Sequence, residues 1–359
     1  MEAVDRVVDP EMNRRLTRPF KFEEVQRAVF QMHPSKSPRP DDMSCFFFQK
    51  FWSIVGAEVI EAVLSVLSSG HVLRKTSYTH IALIPKVKLS QRMSEFRPIS
   101  LCNVIFKVIS KCLANRLKPV LSSVISDAQS AFVPGQLITD NILVAYEVIN
   151  SLKSKRHGRV GSMAVKLDMS KAYDRVEWCY LERIMQKMGF DAKWIDLTME
   201  CVKSPSYSIL LNGEPHGSVS PTRGIRQGDP LSPYLFLICA EGFIALLRKA
   251  ERDRRLSGTS ICRGGLRISH LLFADDSLLF CQAKMEECNN LMDILTLYKE
   301  SSGQKMNRDK TAIFFSRNTA ENKREEIKSS WGAQVLSQYE KYLGLPALVD
   351  RSKNKLLKV

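Results

Sequence analysis

Long apolar runs are few in the sequence. Its longest apolar run, LSPYLFLICAEGFIALL (Leu231 to Leu247), carries Glu241 near its middle and reads as a buried helix, which argues against membrane attachment. The opening MEAVDRVVDPEMNRRL has no apolar signal core, so nothing points to secretion. The nine cysteines include no C-x-x-C pair and no close Cys/His spacing, which argues against a zinc site or a redox motif. Their odd number fits reduced thiols in an intracellular protein of the nucleus or cytoplasm. His33, His71, His80, His157, His216 and His270 show no ligand spacing and are assigned no chemistry. Internal repeats and low-complexity segments are lacking. Acidic residues are in deficit, with 38 against 53 basic ones, for a formal net charge of +15. That surplus suits a polyanionic partner such as nucleic acid, and it equally describes a solvated basic surface.

What is present is a chain of 359 residues, 44% hydrophobic, enough for two or three structural units with real cores. Residues 1 to 35 read as helical, with Phe22, Val25, Ala28 and Val29 at helix spacing. The proline-rich connector HPSKSPRPDD follows, then a helix from about Phe46 to Leu67 that Gly70 ends. YTHIALIPKV reads as a strand, SEFRPISL is left without an element, and a long helix is expected from about Asn103 to Val120. SMAVKLDMS is a short apolar strand ending on Asp168, and the helix after it is marked by a capping box of Asp174 and Glu177 and stopped by Gly189. Tyr207 to Ile225 reads as a hairpin turning at Asn212-Gly213, and Asp229 with Pro230 opens a further helix. HLLFADDSLLF (His270 to Phe280) is a second hairpin with its acidic pair at the turn, and Lys299 to Ser316 gives a helix end, a turn and a strand. The pattern is a mixed α/β (α+β) fold.

The acidic pair Asp275-Asp276 sits between two apolar stretches, where ionised carboxylates are costly unless paired. Asp-Asp is an ordinary turn pair in a hairpin. Yet Asp168 also ends an apolar strand, and two such strand ends side by side in one sheet would bring three carboxylates to one point. Like charges held that close need a cation, and an all-oxygen set selects a hard ion, Mg²⁺ or Mn²⁺. The chemistry that uses such a site is two-metal phosphoryl transfer.

Here a resemblance enters. FADD, KLDMSKAYDRV and RGIRQGDPLSP, together with KSPRPDDM, LIPK, FRPISL, AFVPGQLITDNILVAYE, SGQKMNRDKT and KYLGLP in that order, resemble the reverse transcriptases of LINE-type (non-LTR) retrotransposons, particularly those of plants. The similarity runs over nearly the whole chain. It implies a right-hand polymerase fold: an antiparallel palm sheet with helices on one side, mostly helical fingers, and a thumb largely absent. It implies an N-terminal fingers extension over 1–66, a reverse transcriptase domain over 67–346 (fingers 67–160, palm 161–346) and a truncated start of the thumb over 347–359.

The resemblance implies that Asp168 and Asp275 bind two Mg²⁺ ions (Mn²⁺ as a substitute) with Asp276 in support. Tyr173 would be the bulky gate against a ribonucleotide's 2′ hydroxyl, beside the plainer reading of a packed aromatic ahead of a helix. That bulk argues against an RNA-directed RNA polymerase. Gln227 would contact the sugar side and template base, with Gly228 letting the backbone come close. Lys86 and Arg97 would grip the triphosphate, and Lys310 would protonate the leaving pyrophosphate, although lysines and arginines taken singly read as surface residues. KYLGLP resembles the hairpin holding the primer, and the basic RKAERDRR (Arg248 to Arg255) either meets template phosphates or satisfies its own helix end.

The implied activity is RNA-directed DNA polymerisation: deoxynucleotides added to a primer 3′ end, with an RNA template, a DNA primer or target and dNTPs as partners and no membrane. Relatives carry endonuclease, ribonuclease H or Cys/His-rich regions, none of which stands in this sequence. Where relatives read K-S-P-G-P-D-G, this chain has Arg39 and Asp42 in place of glycines. That departure keeps alive a catalytically weak or inactive nucleic-acid-binding relic. An intron-maturase-like protein is the other alternative, and it would need a basic splicing domain beyond these residues.

Overall fold

The computed structural model describes residues 2–34, 43–262, 264–336 and 343. Its strands, in chain order, are β1 (Thr79–Pro85), β2 (Phe96–Cys102), β3 (Ser162–Leu167), β4 (Tyr207–Leu211), β5 (Glu214–Val219), β6 (Thr259–Ser260), β7 (Arg267–Ile268), β8 (His270–Phe273), β9 (Asp276–Gln282), β10 (Ala312–Phe315) and β11 (Gln334–Val335). The chain divides into two compact units. One comprises Asp5–Val124 and Tyr173–Cys239; the other comprises Ile125–Ala172 and Ala240–Val359 with Glu2–Val4.

The first unit holds the sheet β2-β1-β4-β5. β1 and β2 form an antiparallel hairpin from Thr79↔Cys102 to Pro85↔Phe96, and β4 lies parallel to β1. SEFRPISL supplies most of β2: its Pro98 is tolerated because β2 is the sheet edge. The β4–β5 hairpin turns at Asn212-Gly213 as expected, with φ of 54° and 88° at those residues, the left-handed pair that an Asn-Gly turn supplies.

The helical N-terminus is two helices, Pro10–Thr17 and Phe22–Phe30. Pro19 separates them, because its ring disfavours a helical Arg18, which is extended (φ −54°, ψ 154°). The next helices are Cys45–Lys50 and Trp52–Ser69, the latter closed by left-handed Gly70. Trp52–Ser69 is long and apolar enough to cross a membrane by length and composition.

Val104–Leu117 is the expected long helix, and the Lys118-Pro119-Val120 turn follows it. The capping box of Asp174 and Glu177 does not form. Tyr173–Arg175 is a 3₁₀ turn whose neighbourhood is bonded by the 224–225 backbone (Gly224 N–H to Val176 O, 2.8 Å; Ile225 N–H to Tyr173 O, 2.9 Å). The helix therefore starts only at Trp178, with Glu177 as N-cap making no side-chain capping bond, and runs to Met188 before left-handed Gly189. The helix expected from Asp229 begins at Ser232 and runs to Arg252; Asp229 still caps its approach, accepting from Leu231 N–H and the Ser232 hydroxyl. As the apolar run implied, Leu235–Leu247 is largely buried.

The second unit is built on the sheet β11-β10-β3-β9-β8. It was expected to be antiparallel with helices on one side. It is antiparallel except at β10–β11, which is parallel. Both faces are covered. Ala164, Leu278, Phe280 and Phe314 pack on Ala145, Val148, Ile149 and Leu152 of the helix Ile138–Ser154. On the opposite face Met163 Sδ lies 3.9 Å from Cys288 Sγ of the helix Met285–Ser302. The reason is in β3: its consecutive Met163, Ala164 and Val165 are all apolar and buried rather than alternating with polar residues, the signature of a strand buried on both sides. None of the nine cysteines is joined in a disulfide, and all but Cys179 and Cys262 are buried.

Candidate active site

β3 ends at Leu167, which pairs with Ser277 of β9. Just beyond that pair stand Asp168, the first residue past β3, and Asp276, the first residue of β9, close enough for their charges to interact. The turn joining β8 to β9 is Ala274-Asp275, with Phe273 paired to Asp276, so the acidic pair is split between the turn and the first position of β9 rather than forming the turn itself. Ala274 has φ 52°, a left-handed conformation that costs a residue with a Cβ about 1–2 kcal/mol and that glycine usually occupies in such turns.

A second segment folds back onto Asp168. Asn307 N–H donates to the Asp168 carbonyl and Ser170 N–H donates to the Lys305 carbonyl, both at 2.8 Å, on either side of a Met169–Met306 bridge. This return carries Lys310 Nζ to 3.9 Å from Asp168 Oδ2. The lysine side chain is 68% exposed, so the pair is loose and adds little stability. What it provides is a positive charge beside the carboxylate.

Burial, followed by the neighbouring Asp275 charge, raises the pKa of Asp276; Asp168 adds to the rise, while Lys166 and Lys310 oppose it. A raised native pKa means that the folded protein holds this proton more tightly than the unfolded chain. Stability is therefore lost as pH climbs from the ordinary 3.8 through the native value. Asp276→Asn is expected to raise Tm at pH 7, with the difference shrinking toward pH 4. Thermal unfolding at the two pH values checks this, and a lower Tm at pH 7 would mean that the carboxylate makes a net stabilising contact.

The donor chemistry fits a hard divalent cation: Asp168, Asp275 and Asp276 offer oxygen only, and the charges of Asp275 and Asp168 both disfavour ionisation of Asp276. Among the described residues, no three His, Cys, Asp or Glu side chains are gathered closely enough to hold an ion by themselves. An ion here would complete its shell from water and substrate phosphates, as Mg²⁺ usually does.

The other residues singled out in the sequence belong to the first unit. Lys86 follows β1 directly, and its ammonium donates to the Ser94 carbonyl at 3.0 Å. Exposed Arg97 lies on β2 opposite Ile84, so both cations stand at one end of the β1–β2 hairpin. The Tyr173 ring stacks on Phe236, with centroids 5.1 Å apart and planes at 8°, which fixes its orientation. Gln227 Nε2 donates to Asp174 Oδ1 at 3.3 Å, and its carbonyl accepts from Ser100 N–H at 2.9 Å. Gly228 has φ 99°, where a side chain is strained, and a Cβ would stand 3.4 Å from the Ser100 carbonyl.

Two stretches expected to matter, KSPRPDD over 36–42 and KYLGLP over 341–346, lie largely outside the described residues, as does 347–359. In the RKAERDRR stretch Arg248 donates to the Ser126 hydroxyl at 2.6 Å and Arg255 to Asn290 Oδ1 at 2.9 Å, so both are engaged within the fold.

Sequence reasoning missed Lys166 and Gln129. Lys166 stands two residues before Asp168, hence on the same face of its strand, and a lysine in an apolar strand beside an aspartate was a usable signal. Gln129 gave none.

Residues 84–346 match the family described as reverse transcriptase (RNA-dependent DNA polymerase). The chain is similar to the "Transposon TX1 uncharacterized 149 kDa protein" of Xenopus laevis, 28% identical over 306 residues (85% of this chain, 23% of that protein). It is similar to the "Retrovirus-related Pol polyprotein from type-2 retrotransposable element R2DM" of Drosophila melanogaster, 28% identical over 277 residues (77% and 24%). A shorter similarity, 53% over 69 residues (19% and 57%), joins it to the "Uncharacterized mitochondrial protein AtMg01250" of Arabidopsis thaliana. The chain thus spans about a quarter of the length of the two transposon relatives. The family match covers well over half of the sequence, including Asp168, the FADD hairpin and the Lys310 return, and with the mixed α/β fold it places this chain in the reverse transcriptase (RNA-dependent DNA polymerase) family.

Proposed function

We propose that this chain is the nucleotidyl-transfer core of a LINE-type retrotransposon reverse transcriptase, adding dNTPs to a primer 3′ end on an RNA template inside the cell. The observation that carries the reading is the β3–β9 register, which ends at Leu167–Ser277 and so leaves Asp168 just past β3 within reach of the Asp276 charge, with Asp275 in the adjoining turn. Reverse transcriptases use divalent metal ions; here we assign two Mg²⁺, held by Asp168 and Asp275 with Asp276 in support, and Mn²⁺ as a substitute. When bound, such ions lower the pKa of the attacking hydroxyl and neutralise the triphosphate.

The chain's own residues do the rest. Lys310 holds a proton beside Asp168 for the departing pyrophosphate, a role that typically contributes 10²–10⁴-fold. Lys86 and Arg97 bind the triphosphate, arginine through its fork and lysine as a point charge. The stacked ring of Tyr173 bars a 2′ hydroxyl, and Gln227 and Gly228 seat the nucleotide. In this assignment 67–160 acts as fingers and 161–346 as palm. The +15 charge supplies long-range attraction for template and primer.

The test is primer extension by the purified chain with an RNA template, a DNA primer, dNTPs and Mg²⁺, beside Asp275→Ala/Asp276→Ala. Extension is expected in the wild type and is expected to fall by more than about 10²-fold in the variant, since even partners that only orient metal ligands are worth about 10–100-fold. Extension that survives in the variant, or a wild type that binds primer–template without extending it, overturns the reading; the latter favours the binding relic.

A further inference from the structure

We infer that Gln129 is the positioning residue that fixes the Ala274-Asp275 turn and, through it, the acidic pair. The inference rests on the reading that this pair holds metal ions. β8 is the last strand of its sheet, so its outer edge needs a partner. Residues 128–130 supply one: Leu272 N–H donates to the Ala128 carbonyl at 2.7 Å, and Ser130 N–H donates to the Leu272 carbonyl at 3.2 Å. Buried Asn141 reinforces the edge, its Nδ2 donating to the Leu272 carbonyl at 3.0 Å and to the Ser130 hydroxyl at 2.9 Å.

This places Gln129, fully buried, beside the turn. Its Oε1 accepts from Ala274 N–H at 2.9 Å and from Ala131 N–H at 3.1 Å, while its Nε2 faces the Ala274 carbonyl at 3.4 Å. One carboxamide therefore addresses both backbone polar groups of the residue held in the left-handed region. An alanine there has no intrinsic reason to stay, whereas a glycine would adopt the conformation at no steric cost. The next residue is Asp275. A turn free to relax would swing that carboxylate away from its neighbour Asp276, and a metal ligand displaced by an ångström is a poor ligand.

The experiment uses the whole chain and two readouts. Hydrogen exchange reads the turn. Gln129→Met, similar in length but with neither bond, is expected to speed exchange of the Ala274 amide by about tenfold, the worth of one lost hydrogen bond, while β3 and β9 amides keep their protection. Gln129→Glu keeps the acceptor but turns an oxygen toward the Ala274 carbonyl, so the turn loosens again; this variant carries the test if the methionine fails to fold.

Mn²⁺ titration, followed by electron paramagnetic resonance of the free ion, reads the site. Gln129→Met is expected to weaken the Asp275-dependent Mn²⁺ site by about tenfold. Adding Ala274→Gly is expected to restore most of that loss, a rescue that general destabilisation would not give. In extension assays kcat falls while KM for dNTP stays within about twofold, as for an interaction outside substrate binding. Unchanged exchange at Ala274 overturns the inference. A loosened turn with unchanged Mn²⁺ affinity also overturns it. A wild type with no Asp275-dependent Mn²⁺ site fails the metal reading separately, and the exchange result then decides on Gln129 alone.

Discussion

Arg116→Ala is expected to destabilise the protein by about 3–5 kcal/mol, the cost of leaving a buried charge without its partner. The side chain is 4% exposed and all of its donors are directed. Nε and Nη2 form a fork on the Glu24 carboxylate, each at 2.9 Å. Nη1 donates to the Leu16 carbonyl at 2.8 Å and to Arg18, and Nη2 donates to the Pro19 carbonyl at 2.9 Å. The guanidinium also lies on the Phe20 ring, 3.3 Å from its centroid. These partners are the helix Pro10–Thr17, the proline break and the helix Phe22–Phe30, so one side chain of Val104–Leu117 pins the folded N-terminal segment. Burial by itself would raise the pKa of Glu24; the Arg116 hydrogen bonds override it and hold that pKa below the ordinary carboxylate value. Lysine cannot reproduce the fork, so Arg116→Lys is expected to recover little. Arg116→Met with Glu24→Gln, which removes both charges, is expected to cost clearly less than Arg116→Ala. Urea unfolding checks the series, and equal midpoints for wild type and Arg116→Ala would refute the account.

The second large effect is a pH dependence centred on Glu241. Burial pushes its pKa up to about 7, against partial relief from the Ser126 amide and from Arg248. Ser126 N–H donates to Glu241 Oε1 at 2.9 Å, and Arg248 bonds the same serine's hydroxyl. The unfolded chain releases this proton near 4.5, so between 4.5 and about 7 the native state binds more protons, and stability falls as pH rises through that window. The full cost at pH 8 is on the order of 3 kcal/mol. Glu241→Gln keeps the acceptor for Ser126 and removes the charge. It is expected to melt higher than wild type at pH 8 and to match it near pH 4.

His270 works the other way. Burial, aided by Arg248, lowers its pKa to about 4. Its contribution is complete above the ordinary 6.5 and is lost as pH falls toward 4. The two groups oppose each other below 6.5, so the slope that Glu241→Gln removes shows most clearly above it. Parallel melting curves for the two proteins from pH 6 to 8 would refute the assignment.

The placement of the acidic residues was legible because its signals are local. An apolar run ending on Asp168, and an acidic pair flanked by apolar residues, need only neighbouring residues to be noticed, and the order of the motifs named the family. The Asn212-Gly213 turn was legible for the same reason. The split of the N-terminal helix at Pro19 and the burial of β3 on both faces also had local signals, in a proline and in three consecutive apolar strand residues. Gln129 had none: it lies 145 residues from Ala274, and a glutamine in a loop looks like any solvated side chain. The same holds for Arg116, 92 residues from Glu24, which reads as one more cation among 53 until five acceptors and a ring close around it.

The sequence alone determined the residue types, their strand-end and turn positions, the family and the charge that suits a polyanion. The tertiary structure decided what holds them in place: which strand pairs with the one that ends before Asp168, which loop returns Lys310, and which amide grips the strained turn. Backbone propensity acts over a few residues. The partners of buried charges and amides are chosen by packing across the whole chain, because an unsatisfied polar group in the interior is too costly to leave wherever the chain happens to put it.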